Sequence, residues 1–235
     1  MYKNYLFDLD GTLLPLDEEL FVKTYFSQLA KKFNELKLDP EKMIKKLWSG
    51  TNAMIMNDGS KTNETVFWEI FQPNEMNQDD LKQTLEKFYQ NEFDSVKTSV
   101  KPSVYSKEII SLLRKRGKNI VLATNPIFPQ VATERRIKWA MLDKNDFHYI
   151  TTYENSYFAK PSLSYFENIL LKFNFLPEET IMIGNDALED MVAKELGINT
   201  FLVTDCINNK SGIDINQFEH GTLEELYEKI AKGLI

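Results

Sequence analysis

The feature that most constrains this chain is a short apolar run near its start, Tyr5 to Phe7, which ends in Asp8-Leu9-Asp10-Gly11-Thr12. Alternation along a strand places the side chains of Asp8 and Asp10 on the same side of the chain. Two carboxylates at such a short distance repel each other, and each raises the pKa of the other unless a cation lies between them. Hard oxygen ligands of this kind suit Mg²⁺, so the segment predicts a divalent-metal site at a strand end.

The composition is that of a globular protein. Of 235 residues, 43% are hydrophobic and 27% are charged, and this length suits one domain with an insert. The formal net charge of −7 argues against binding to nucleic acid, so an anionic substrate would need local donors and a metal.

We expect the protein to act in the cytoplasm, away from membranes, and as a monomer. The single cysteine, Cys206, cannot form an internal disulfide, which fits a reducing compartment. No apolar stretch reaches the roughly 18 residues that span a membrane. The N-terminal residues also lack the basic region and apolar region of a secretory signal.

Short apolar runs separated by helical patterns predict an α/β fold with a doubly wound, Rossmann-like parallel sheet. The expected strands are Tyr5 to Phe7, Ile120 to Ala123, Phe147 to Thr151, Ile181 to Ile183 and Phe201 to Val203. Apolar residues at helical spacing predict helices that end near Gly117 and Gly197, one that follows Pro161, and a closing helix over residues 223–230.

The interval between the first strand and the helix near Ser103 contains only helical patterns, over residues 20–33, 40–48, 65–71 and 79–93. We therefore expect an all-helical cap domain. Its predicted extent is residues 16–96, inserted into a core of residues 1–15 and 97–235. Because the insert begins directly after the aspartate pair, it should cover the carboxyl ends of the strands, where such sheets bind ligands.

Four polar segments fall at predicted strand ends or helix starts. They are Asp8-Leu9-Asp10-Gly11-Thr12, Leu122-Ala123-Thr124-Asn125, Lys160-Pro161, and Gly184-Asn185-Asp186 with Asp190 one turn later. Alone, only the first is specific. The others also have ordinary interpretations as a polar turn, a solvated lysine, and favourable charge at a helix N-terminus. Together, and in this order, they indicate an active site.

In order and in sequence context, these segments resemble the four motifs of the haloacid dehalogenase-like hydrolases, most of which are phosphatases with an aspartate nucleophile. The resemblance covers essentially the whole chain, since a helical cap inserted after the first motif is similar to one branch of that family. That branch contains phosphoglycolate phosphatase and β-phosphoglucomutase.

The resemblance, together with the needs of phosphoryl transfer, implies a role for each residue. Asp8 would attack phosphorus and form an aspartyl-phosphate, and Asp10 would serve as general acid and then as general base. Thr124 and the backbone N–H of Asn125 would bind phosphate oxygens. Lys160 would neutralise the nucleophile and the transferring phosphoryl group.

The fourth motif departs from the family pattern, in which aspartate directly follows the glycine. Here Asn185 has that position and Asp186 comes next. Either the Asn185 side-chain carbonyl binds Mg²⁺ together with Asp8 and the backbone carbonyl of Asp10, or a shifted turn brings Asp186 to the metal. Asp190 would not bind the metal itself but would orient the metal ligands or a bound water.

These features predict a Mg²⁺-dependent phosphatase that acts on a small phosphate ester. A phosphomutase of sugar phosphates is one alternative, because the four motifs do not separate transfer to water from transfer to sugar. A regulatory protein that binds phosphate or metal with weak catalysis is another, supported only by Asn185. The carboxyl group of Asp10 favours phosphate chemistry, since dehalogenation has no leaving alkoxide to protonate.

Overall fold

The structure, a computed structural model, describes residues 1–73 and 75–235. The strands are β1 (Asn4–Phe7), β2 (Asn119–Leu122), β3 (Tyr149–Ile150), β4 (Thr180–Gly184), β5 (Asn199–Val203) and β6 (Glu219–Gly221). The α-helices are α1 (Glu18–Glu35), α2 (Pro40–Ile55), α3 (Asn63–Ile70), α4 (Gln78–Gln90), α5 (Val104–Lys115), α6 (Gln130–Trp139), α7 (Leu163–Phe173) and α8 (Leu223–Ala231). Short 3-10 helices include Glu92–Ser99 and Met191–Leu196. No helix in the described ranges is long and apolar enough to cross a bilayer.

The strands form one parallel sheet in the order β3-β2-β1-β4-β5-β6. This is the order of a doubly wound sheet, so the predicted fold class is confirmed. Side chains of β1 alternate between its faces: Tyr5 and Phe7 pack with residues of α5 and α8, while Leu6 packs with residues of α7. Helices therefore cover both faces, and β1 is buried in the centre.

The described residues between β1 and α5 form α1 to α4 and the 3-10 helix Glu92–Ser99. Aromatic side chains join these helices; the ring of Phe71 lies 5.0 Å from that of Phe67 and 6.3 Å from that of Phe33.

The start of α2 is as its sequence indicates. Asp39 accepts hydrogen bonds from the first-turn backbone N–H groups, and Pro40 occupies the first turn, where no partner for its nitrogen is needed.

The helical insert joins the sheet through two linkers that lie side by side. The backbone N–H of Asp17 donates to the carbonyl of Ser99 at 2.9 Å, and that of Lys101 donates to the carbonyl of Pro15 at 2.8 Å. The insert therefore leaves and re-enters the sheet at one place. The division into a core and a cap domain concerns independent folding and remains a prediction.

Several elements differ from the sequence-based expectation. β3 has two residues, fewer than the expected strand, because it pairs along only that length with β2. The turn before Gly197 is a 3-10 helix and not an α-helix. The apolar pattern predicts neither α6, which is interrupted by charged residues, nor β6, a three-residue edge strand.

Candidate active site

The carboxyl ends of three adjacent strands bring the predicted motifs to one cleft. Asp8 follows β1, Thr124 lies just beyond β2, and Asn185 follows β4. Since β1 pairs with both β2 and β4, these ends meet at one edge of the sheet. The cleft has a volume of about 550 Å³, and its lining includes Asp8, Asp10, Thr124, Asn125, Asn185, Asp186 and Asp190.

Asp8 is a buried carboxylate with a cationic partner. It accepts a hydrogen bond from the Lys160 ammonium at 3.0 Å and lies 3.3 Å from the Thr12 hydroxyl. Burial raises the pKa of Asp8 to about 7; Lys160 acts to lower it, and the carboxylates of Asp190 and Asp10 act to raise it. The residue therefore lies where a nucleophilic oxygen is shielded from water.

Lys160 bridges two carboxylates in the interior and is only 1% exposed. Its ammonium donates to Asp8 at 3.0 Å and to Asp190 at 2.5 Å. Burial alone would lower the pKa of Lys160, but Asp190 and Asp8 outweigh that effect and raise the pKa above its ordinary value. Lys160 is therefore a fixed positive charge beside Asp8.

Asp10 has a partner that the motifs do not indicate. Its carboxylate pairs with the guanidinium of Arg136 from α6, and Arg136 is itself 1% exposed. The guanidinium carbon also lies 4.3 Å from the ring centre of Phe128, and one of its nitrogens donates to the Thr133 hydroxyl at 3.2 Å. Burial raises the pKa of Asp10 against the opposing effect of Arg136. These contacts fix the direction of the Asp10 carboxylate.

Asn185 lies beside Asp8. Its side-chain carbonyl accepts from the Thr12 hydroxyl at 2.9 Å, so one hydroxyl contacts both the Asn185 and Asp8 side chains. Its amide donates to the carbonyl of Cys206 at 2.7 Å, which sets the orientation of the group. A Cβ at Gly11 would lie 2.3 Å from the Asn185 amide nitrogen, and Gly11 has a φ of +84°. Only glycine allows this approach and this backbone conformation.

Asp186 points into the loop that follows it. One carboxylate oxygen accepts from the backbone N–H groups of Leu188 and Glu189 at 2.8 and 2.7 Å. The other oxygen accepts from the Asn208 amide at 2.7 Å. Both oxygens of Asp186 thus accept hydrogen bonds, one from its own turn and one from Asn208 in the loop after β5, whereas the Asn185 side chain faces Asp8.

Asp190 is 1% exposed and contacts both Lys160 and the turn that contains Asp186. It accepts from Lys160 at 2.5 Å and from the backbone N–H of Asp186 at 3.0 Å. The position requires glycine at the end of β4, because a Cβ at Gly184 would lie 2.1 Å from an Asp190 carboxylate oxygen. Asp190 thereby links the lysine to the turn of the fourth motif.

The loop after β2 is held by buried hydrogen bonds. The backbone carbonyl of Thr124 accepts from the Tyr165 hydroxyl at 2.9 Å. The Asn125 side chain accepts from the backbone N–H of Lys160 at 3.2 Å and donates to the Glu189 carboxylate at 2.8 Å. The second and third motifs are therefore connected directly through Asn125.

The residues near Asp8 offer oxygen donors of mixed type. The described ranges contain no group of three or more His, Cys, Asp and Glu side chains able to hold a metal. The expected donor set does not need one, since it combines the Asp8 carboxylate, the Asn185 amide oxygen and the Asp10 backbone carbonyl. Mg²⁺ takes oxygen ligands of these kinds and usually keeps several waters, so this donor set fits it chemically.

Residues 5–203 match the family model of the haloacid dehalogenase-like hydrolases. The chain belongs to this family. The matched range includes all four motifs and the whole helical insert, so the resemblance seen in the motifs is confirmed.

Solved structures share the fold of this haloacid dehalogenase-like (HAD) hydrolase. An HAD phosphatase from Thermococcus onnurineus has a TM-score of 0.60 at 19% identity, covering 97% of each chain. YfnB from Bacillus subtilis, solved bound to magnesium, has a TM-score of 0.57 at 20% identity and the same coverage. A Thermotoga maritima protein described as a β-phosphoglucomutase has a TM-score of 0.60 at 17% identity, covering 98% of this chain and 99% of its own. No curated protein matches the sequence significantly.

Arg136 and Glu189 are among the cleft residues of this HAD-like hydrolase that lie outside its sequence motifs. Arg136 belongs to α6 and reaches Asp10 from far along the chain. Glu189 binds Asn125, and burial raises the pKa of Glu189 to about 7. A run of charged residues in α6 and an acidic turn are the only signals that the sequence offers for them.

Proposed function

We propose that the protein is a Mg²⁺-dependent phosphatase of a small phosphorylated metabolite. The observation that carries the proposal is the surroundings of Asp8, a buried carboxylate beside the buried ammonium of Lys160, with the carboxylate of Asp10 in the same cleft. Phosphoryl transfer requires a nucleophile, a proton donor for the leaving oxygen, and cations around the charge that spreads over phosphorus. Each requirement has a candidate in this cleft.

In the first step, a carboxylate oxygen of Asp8 attacks phosphorus and the ester P–O bond breaks. Asp10 gives its proton to the leaving oxygen, so the products are a neutral alcohol and an aspartyl-phosphate on Asp8. Lys160, Thr124 and the backbone N–H of Asn125 hold the phosphoryl oxygens during the transfer.

In the second step, a water molecule attacks phosphorus and the bond between phosphorus and Asp8 breaks. The Asp10 carboxylate takes the proton of the water, and inorganic phosphate leaves. Arg136 keeps the Asp10 carboxylate in place for both steps, because its buried guanidinium pairs with that group.

Asp8, Asn185 and the backbone carbonyl of Asp10 would hold the metal ion, which when bound neutralises charge on the phosphoryl group. We favour Asn185 over Asp186 as the ligand. The Asn185 oxygen accepts from the Thr12 hydroxyl that also contacts Asp8, whereas one Asp186 oxygen accepts from the backbone of its own turn and the other from Asn208 in the loop after β5. Asp190 positions this turn through the backbone N–H of Asp186.

The helical insert would open to admit the substrate and close to exclude water other than the attacking molecule. The insert contributes Phe21 to the lining of the cleft. The cytoplasmic location and the monomeric state remain predictions from the sequence.

The test is turnover of p-nitrophenyl phosphate by the purified protein. We expect release of inorganic phosphate with Mg²⁺, loss of activity with EDTA, and recovery when Mg²⁺ is added again. Beryllofluoride with Mg²⁺ should form an adduct on Asp8. An adduct on another residue, or metal-replete protein inactive towards a broad panel of phosphate esters, would overturn the proposal. Isomerisation of a sugar phosphate without phosphate release would identify a mutase, and binding without turnover would identify a regulatory protein.

A further inference from the structure

An apolar cavity of about 180 Å³ lies between the helical insert and the loop after β2. Its walls are rich in aromatic side chains and include Tyr25, Trp48, Phe67, Trp68 and Tyr153. The two steps of phosphoryl transfer use none of these residues. We call this space the aromatic cavity.

The aromatic cavity shares a wall with the active-site cleft. Phe21, Ile127 and Phe128 line both spaces. The ring of Phe128 lies against the guanidinium of Arg136, which pairs with Asp10, the residue that protonates the leaving oxygen. A substrate with its phosphoryl group at the strand ends can therefore place its leaving group against these three shared residues, next to the aromatic cavity.

Polar groups in the wall of the aromatic cavity already have partners. The hydroxyls of Tyr25 and Tyr89 lie 2.7 Å apart and bond to each other, and the Trp68 indole N–H donates to the Tyr153 hydroxyl at 3.3 Å. The Thr51 hydroxyl donates to a backbone carbonyl one turn earlier at 3.0 Å. The hydroxyl groups of a sugar would leave water without gaining equivalent partners here, whereas an apolar ring gains from the transfer.

The charged residues of the wall lie at its edge. Glu86 is exposed, and Lys82 is partly exposed and forms an ion pair with Glu64. Neither places an unpaired charge deep in the cavity, so the wall that faces the leaving group is apolar.

We propose that the leaving group of the substrate is an apolar ring, and that the enzyme prefers phosphate monoesters of aromatic or similarly apolar alcohols to those of sugars and polyols. This inference rests on the proposed phosphatase activity. The size of the cavity agrees with it, because an engineered protein cavity of about 150 Å³ lined by apolar side chains binds benzene. The aromatic cavity thus has room for one ring.

The experiment compares 2-phenylethyl phosphate with glycerol 1-phosphate. Both are esters of primary alcohols, so a difference in rate is not caused by an activated aryl leaving group. We expect kcat/KM to be about 10- to 100-fold higher for the phenylethyl ester, as for other apolar pockets. The 2-cyclohexylethyl ester should behave like the phenylethyl ester if apolar contact, and not ring stacking, provides the preference.

A pair of threonine variants locates the effect. Thr51→Phe would fill part of the aromatic cavity and should reduce the preference for the phenylethyl ester about tenfold. Thr84→Phe is the matched control: Thr84 is also partly exposed, lies on a helix of the insert, and donates to a backbone carbonyl one turn earlier. Because Thr84 does not line the cavity, its variant should keep the full preference.

A binding measurement on the unmodified protein covers the case in which Thr51→Phe does not fold. 2-Phenylethylphosphonate should inhibit competitively at a concentration at least about tenfold lower than methylphosphonate does. Equal inhibition, equal turnover of the two esters, or an unchanged preference in folded Thr51→Phe would overturn the inference and leave the phosphatase intact. If the unmodified, metal-replete protein turned over no ester at all, including p-nitrophenyl phosphate, the proposed function itself would be overturned.

Discussion

The sheet wall of the active-site cleft and the insert wall of the adjacent aromatic cavity are built by different physical means. On the sheet wall, Asp8, Lys160 and Asp190 form a chain of buried charges in which each group contacts an opposite charge. On the wall formed by the insert, aromatic rings predominate, and hydroxyls such as those of Tyr25 and Tyr89 bond to each other. In the proposals made above, fixed charges provide the chemistry, while shape and apolar contact select the leaving group.

This difference also ranks the two walls by their tolerance of substitution. A buried charge that loses its partner is far more costly than a buried hydroxyl that loses one hydrogen bond. Changes that leave a charge of the sheet wall without any partner should therefore have large effects on both activity and stability, and changes in the insert should have smaller ones. The predictions below run from the largest expected effect to the smallest.

Asp8→Asn removes the proposed nucleophile and should lower kcat by about 10⁴-fold or more, as loss of a nucleophile does in other covalent mechanisms. The amide fills the same space, so the thermal unfolding temperature should change little. The measurement is phosphate release with saturating Mg²⁺. The control is Asp79→Asn, which changes an exposed residue at the start of α4 and should keep normal phosphate release. Activity within tenfold of the unmodified protein would contradict the role given to Asp8.

Lys160→Met leaves Asp8 and Asp190 as neighbouring buried carboxylates without a cation. The free energy of unfolding should fall by about 3–5 kcal/mol, the usual cost of breaking a buried ion pair on one side. Urea unfolding measures this change.

The double variant Lys160→Met/Asp190→Asn removes one of the two unpaired carboxylates. It should recover part of the stability but no phosphatase activity, because the cation beside Asp8 is still missing. If both stability and activity returned together, the lysine would have only a structural role.

Arg136→Gln tests whether the buried guanidinium positions Asp10 for proton transfer. We expect kcat to fall by about 100-fold with little change in KM, the size of a general-acid contribution. The fall should be larger for an alkyl phosphate than for p-nitrophenyl phosphate, whose leaving group needs little protonation.

The neighbouring Arg135→Gln is the matched control for Arg136→Gln. Arg135 pairs with Asp94 near the surface and does not line the cleft, so its variant should retain normal rates. Equal losses with alkyl and aryl esters in Arg136→Gln would indicate a general loss of structure, not of positioning.

Asn185→Leu and Asp186→Asn separate the two candidate ligands of the fourth motif. Asn185→Leu should raise the Mg²⁺ concentration for half-maximal activity by about 10- to 100-fold, because an oxygen donor is lost. Asp186→Asn keeps an acceptor for its loop and should change that concentration much less. Titration of activity with Mg²⁺ measures both, and the reverse order would assign the metal to Asp186.

Tyr25→Phe tests the insert wall and should have the smallest effect. It removes one hydroxyl of a bonded pair and leaves that of Tyr89 unpaired, which should lower the free energy of unfolding by about 1–2 kcal/mol. The double variant with Tyr89→Phe removes both hydroxyls and should be less destabilised than the sum of the single variants. Thermal unfolding gives these values, and additive losses would show that the two hydroxyls do not act as a pair.

The sheet and the strand-end residues follow from the sequence for a simple reason. Parallel strands buried on both faces produce short apolar runs, and their carboxyl ends share one edge of the sheet. Residues that follow such runs, such as Asp8 after β1 and Asn185 after β4, can therefore be placed together from the sequence pattern alone.

Residues that join the site from a helix face cannot be found in this way. Arg135 and Arg136 are adjacent and chemically alike, yet Arg136 is buried against Asp10 while Arg135 pairs with a surface carboxylate. Only the orientation of α6 against the sheet decides between them. The choice between Asn185 and Asp186 likewise depends on the geometry of one turn, which is set by the contacts of its loop.

The paired linkers near Pro15 and Ser99 have an evolutionary consequence. Since both ends of the inserted segment meet at a single point, a different segment with equally close ends could replace it as a cassette and leave β1 and its aspartates undisturbed. New substrates could then be acquired by exchanging or remodelling one module, without a search for new chemistry.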